Sequence, residues 1–228
     1  MWHLILKDIE QHARAILIFL LSALALPIAF SLMISKPDDG AGYFGVAFGY
    51  LVPGAPALFS FWFIGQEKMK GTFKFLSILP IPGRQLILAK SLASALLCLS
   101  IINVVVLLMP LMMQAAIGLR WFPGLQTILW VNLLTLLFVA VDATIFTLLE
   151  SKIASQAIYL GHTFLALIVL VAIKLMPTIG ESDTLLQRLY SISFHYWGWI
   201  PVILIAYLLV VFSGRVFEMR EWTELEED

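Results

Sequence analysis

Charge and cysteine are what this sequence has least of. Only 13% of its 228 residues are charged, about half the share of an ordinary soluble domain, and 61% are apolar. With a mean hydropathy of +0.96, the composition is that of a membrane protein. The 14 basic and 15 acidic residues nearly cancel, leaving a net charge of -1, so no overall field favours nucleic acid and only locally placed charge is informative. The single cysteine, Cys98, sits in an apolar run, which excludes an internal disulfide framework and a four-cysteine metal cluster and predicts a buried free thiol. A phosphate loop is missing as well: Gly65 to Thr72 reads GQEKMKGT, without the GK[ST] ending or the spacing. Neither a GxSxG serine, a paired-histidine zinc motif nor an acid-rich metal cluster is present.

What is there is a series of long uncharged stretches. They predict an all-α, polytopic membrane protein with six transmembrane helices at 14–35, 43–65, 91–118, 122–149, 153–174 and 196–214. Six crossings use roughly 120 residues, which leaves no comfortable room for a soluble domain. The first stretch has the charge pattern of a cleavable secretory signal, but its apolar run continues through Ile34 and reads as a span. Assigning alternate connections to the same side places ten of the 14 Lys and Arg residues on one face: Lys7, Arg14, Lys68, Lys70, Lys74, Arg84, Lys90, Lys152, Arg215 and Arg220. The positive-inside rule therefore puts both termini and the 66–90 loop in the cytoplasm. Residues 1–13 carry an apolar stripe of Trp2, Ile5, Leu6 and Ile9 opposite Lys7, Glu10 and Gln11, the pattern of an interfacial helix. Residues 215–228 read as an acidic, solvated tail. Pro27, Pro110 and Pro201 predict kinks, and Gly45 and Gly49 form a GxxxG step suited to helix packing within or between chains.

The loop between spans two and three carries the most specific pattern. Met69, Phe73, Leu76 and Leu79 fall on one side of a helix and Lys70, Lys74 and Ser77 on another; Pro80 ends it and Pro82-Gly83 turns the chain toward span three. Such a helix can rest on anionic lipid or dock on a soluble partner. The run E-K-x-K-G-T-F-x-F-L-x-x-L-P-I-x-x-R-x-x-x-x-x-K resembles the loop after the second span in membrane (permease) subunits of type-2 ABC transporters. Glu67, Lys68, Lys70, Gly71, Thr72, Leu76, Leu79, Pro80, Ile81, Arg84 and Lys90 match that pattern. With six spans and a length near 230, the resemblance covers essentially the whole chain in the half-size, six-span form.

The resemblance implies a cytoplasmic coupling helix formed by Glu67, Lys68, Lys70, Gly71, Thr72, Phe73, Lys74, Leu76, Leu79, Pro80 and Arg84 that inserts into a groove on an ATP-binding cassette subunit. It implies no catalytic residue, metal or cofactor in this chain; ATP and Mg belong to the partner. A second permease copy or a related permease would complete the pathway, in the cytoplasmic (inner) membrane of a prokaryote, with export the expected direction.

Polar residues inside the spans are the other candidates, because an intramembrane polar group usually faces protein or water. Asn132, Thr135 and Asp142 share one helical face, and Ser155, Tyr159 and His162 share another, so Asn132, Thr135, Asp142, Tyr159 and His162 are candidate pathway-lining residues. Asp142 can equally serve a structural hydrogen bond, and His162 a neutral interhelical one; a proton relay between them is the functional alternative. Asn103 and Gln114 read as interhelical glue. Two other function classes stay open: an intramembrane enzyme using Asp142 and His162, and a non-transport membrane anchor for a soluble ATPase.

Overall fold

The structure, a computed structural model, describes residues 2–33, 51–70, 82–117, 124–150, 152–164 and 199–226. These residues form six helices and no strand: α1 (Trp2–Met33), α2 (51–69), α3 (Gly83–Ile117), α4 (Leu125–Leu148), α5 (152–164) and α6 (Trp199–Glu226). Helix is the expected state for apolar segments, because it satisfies every backbone N–H and C=O within the segment. Three of the helices contain stretches long and apolar enough to cross a membrane: Gly83–Ala115, Thr127–Leu148 and Trp199–Met219. At 1.5 Å per residue the shorter two extend just over 30 Å, about one hydrocarbon thickness. They correspond to the expected third, fourth and sixth crossings. Part of the second (43–50) and of the fifth (165–174) lies outside the described residues.

Several boundaries differ from the expectation. α1 runs unbroken from Trp2 to Met33, with no break where an interfacial piece would give way to a span near residue 14. α3 begins at Gly83, ahead of the expected 91, and passes through Pro110 to Ile117. α6 continues beyond Gly214 to Glu226, because the start of the expected tail is packed: Phe217 lies against the cluster around Ile64 and Phe146.

α3 is the hub, in contact with α1, α2, α4 and α6. Its buried stripe runs Leu86, Lys90, Ser94, Cys98 and Ile102, all at most 3% exposed, at the four-residue spacing of one helix face. One core cluster joins α1, α2, α3 and α4 through Ala23, Phe59, Phe63, Ala93, Ile102 and Val139. Phe59 sits edge-on to Phe19 and Trp62, with ring centroids 5.6 and 5.4 Å away. A second cluster joins α2 to α5 around Ile64, Ile87, Ala143, Phe146, Ala154 and Ile158. Lipid gives helices no hydrophobic reason to associate, so close packing of small residues does that work. Gly65 and Gly214 show it directly. A Cβ on Gly65 would lie 2.8 Å from Phe146 Cε1, and one on Gly214 would lie 3.2 Å from Arg84 Cα. Gly65 also closes a π-helical turn, Phe61–Gly65, in which the Gln66 N–H donates to Phe61 O. The extra residue of such a turn re-aims whatever follows it, here Glu67 and Lys68.

Candidate functional sites

The first site lies where α2 ends, α3 begins and α4 ends. Lys90, on the buried stripe of α3, is 2% exposed and donates to Glu67 Oε1 at 2.8 Å. A lysine at that depth is tolerable only when paired. Lys68 turns the other way: its Nζ donates to the carbonyls of Phe146, Thr147 and Leu149 at 3.0, 3.4 and 2.7 Å. These are C-terminal carbonyls of α4, left without intrahelical partners, and the negative end of the helix dipole favours a cation there. The opposite pole is treated in kind, since Glu218 Oε1 accepts from the Arg84 N–H at 3.1 Å in the first turn of α3. One acid and two bases from the expected docking motif thus tie α2 to α3 and α4 within the chain.

Of the other expected docking residues, Lys70 and Arg84 are exposed. Met69 is also exposed, and its α2 turn ends at Lys70. Gly71, Thr72, Phe73, Lys74, Leu76, Leu79 and Pro80 lie outside the described residues.

The second site is a set of polar groups deeper in the bundle. Asn103 of α3 and Asn132 of α4 exchange hydrogen bonds at 2.8 and 3.0 Å, and each amide nitrogen also donates to the carbonyl four residues earlier. The expectation of glue holds for Asn103 and extends to Asn132, whose amide is taken up by its neighbour helix. Thr135 is fully buried and donates to Val131 O. Thr144 and Ser213 bond at 2.8 Å across α4 and α6. Ser60 and Ser94 approach at 3.4 Å across α2 and α3.

Asp142 is 0% exposed, and its Oδ1 lies 3.3 Å from His162 Nε2 on α5. That contact is not aligned as a hydrogen bond: both carboxylate oxygens of Asp142, and Nδ1 of His162, have no hydrogen-bond partner among the described residues. The imidazole stands edge-on to Phe138 at 5.0 Å. Cys98 is a free, fully buried thiol one turn from Ser94 on the inward stripe of α3. His162 therefore shares the packed face of α5 with Ala154 and Ile158, whereas Tyr159 is 71% exposed on the outside of the chain. The structure brings together Asp142 and His162 and separates Tyr159 from them.

Sequence reasoning missed Lys90 as a buried group, Glu218 as a cap, and the Thr144–Ser213 and Ser60–Ser94 contacts. The signal for Lys90 was in the sequence, since it falls on the stripe of Leu86, Ser94 and Cys98. A cavity of about 310 Å³ opens between α3, α4 and α6, lined by Ser91, Ala95, Leu136, Ala140, Ala206 and Tyr207 among others. None of the five candidate pathway residues lines it. Compared with protein-family models, with curated proteins and with solved structures, the chain matches none.

Proposed function

We propose that this chain is the permease subunit of an ATP-driven ABC transporter of the type-2 class. It would cross the membrane six times, pair with a second copy or a related permease to form the pathway, and export its substrate. ATP and Mg would be bound by a separate ATP-binding subunit docked on the 66–90 loop. The observation that carries the reading is the motif from Glu67 to Lys90. Its anchoring adds support: the two ends of the loop meet in the Glu67–Lys90 pair, and Lys68 holds the end of α4. A partner pushing on the residues between would act on three helix ends joined by charge, rather than on a slack tether.

The test is the double charge reversal K70E/K74E, with complexes recovered from native membranes in mild detergent. An ATP-binding subunit should accompany the unaltered chain, and its yield should fall about tenfold in the variant, as expected when attractive rim charges become repulsive. Equal yields would overturn the docking role, and substrate flux in vesicles then separates a transporter from a mere anchor.

The enzyme reading has one observation in its favour, the closeness of Asp142 and His162. Among the described residues neither oxygen of Asp142 takes part in a hydrogen bond, so the carboxylate does not orient the imidazole as a catalytic base requires.

A further inference from the structure

We infer that Lys68 does not dock the partner: it is a positioning residue that ties the 66–90 loop to the turn joining α4 to α5, so that movement of the loop reaches both helices. The source of that movement rests on the transporter reading, while the tie itself stands on geometry alone. Residues 67–70 divide into an inward and an outward pair. Glu67 and Lys68 are half-buried, whereas Met69 and Lys70 are exposed. Glu67 gives Oε1 to the buried Lys90, and its Oε2 is buried as well, so this carboxylate is directed into the bundle. The next residue is directed inward too, toward a different helix.

An ammonium carries three donors, and Lys68 Nζ lies within 3.4 Å of three carbonyls, those of Phe146, Thr147 and Leu149. Its charge is thereby committed inside the chain before any partner arrives. Turning Lys68 outward to meet an acidic rim would expose the end of α4 with its last carbonyls unanswered, so a docking contact would first have to exceed what the cap contributes. Met69 and Lys70 carry no such obligation in their side chains: one offers apolar surface and the other a charge, which is the chemistry a groove with an acidic rim takes up.

The place where Lys68 acts is a turn. α4 ends at Leu148, Leu149 leaves it in an extended conformation (φ -105°, ψ 159°) while its N–H still donates to Ile145 O, and α5 begins at residue 152. The shortest of the three Lys68 contacts, 2.7 Å, is to Leu149 O, the carbonyl from which the chain departs toward α5. That helix is tied to the turn in its own first residues, since the Ala154 N–H donates to Glu150 O at 2.8 Å. Phe61 and Gly65 also pack on Phe146, and removing the Lys68 amine leaves that packing in place. The amine can therefore be tested apart from the fold.

The experiment places spin labels at Q66C and K152C, on the two sides of the tie, in the full chain in lipid nanodiscs with its ATP-binding subunit; Cys98 is fully buried and out of a label's reach. It reads the distance distribution between the labels, with and without ATP and Mg, beside the yield of the subunit. Without further substitution the distance should be single and the same in both conditions. K68M should keep the subunit at full yield but lose the single distance, and K68R, whose guanidinium can also donate to carbonyls, should restore it. K70E/K74E should do the opposite, losing the subunit and keeping the distance. If K68M keeps the single distance, the tie is overturned; if it loses the subunit as K70E/K74E does, Lys68 is a docking residue after all. K68Q takes the place of K68M if the latter does not fold. Recovery of no ATP-binding subunit with the unaltered chain would sink the transporter reading instead, and the distance in the chain alone, K68M against unaltered, still decides the tie.

Discussion

At the basic end of the bundle, helix termini are joined by full charges: Lys90 to Glu67, Lys68 to the carbonyls ending α4, and Glu218 to the start of α3. Some 20 Å further along α3, Asn103 and Asn132 join two helices with neutral amides that also satisfy their own backbones. The difference follows the solvent. Near a helix end, orphan backbone groups and partial water access make a charge useful; at depth, a neutral group with two partners gives cohesion without a desolvation cost. The Asp142–His162 pair violates this gradient, with an ionisable group at depth whose oxygens have no hydrogen-bond partner among the described residues.

The sharpest way to break the charged end is K90M. Deleting one partner strands Glu67 beside a buried face, and breaking a buried pair costs about 3–5 kcal/mol. SDS-induced unfolding in mixed micelles should show that loss, and the double variant E67L/K90M should recover most of it. If K90M is neutral, the pair does not join α2 to α3. Next in size is G65A, which puts a methyl group 2.8 Å from Phe146 and should cost about 1–3 kcal/mol by overpacking. F146L in the same chain should relieve it, and additive effects would show that the two sites do not meet. The smallest effect belongs to the deep neutral contact. N132L leaves Asn103 without its partner and should cost about 0.6–2 kcal/mol, with N103L non-additive to it in a double-mutant cycle.

Much of the helical framework was readable from composition, because an apolar run of twenty or more residues has few alternatives to a helix. The runs at 91–118, 122–149 and 196–214 match the cores of α3, α4 and α6. Periodicity did less well at choosing which face turns inward. His162 lies one turn from both Tyr159 and Ile158, and only the packing of Ala154 and Ile158 against α4 shows that His162 sides with Ile158. The π turn at Phe61–Gly65 rests on a single extra residue and a close approach to Phe146, neither of which has a local signature. Lys90 was legible as a basic residue near a span end, but its partner lies across a loop. Glu218 is a still longer-range case: an acid in an acidic segment gives no hint that it faces the first turn of α3.

That cap also sets an order of events. A chain made from its amino end presents α3 and α4 to the membrane long before Glu218 exists. The Arg84 N–H can meet Glu218 only once α6 has been made, and the close approach of Gly214 to Arg84 waits on the same event. This α6–α3 contact therefore forms after α3 and α4 have been made.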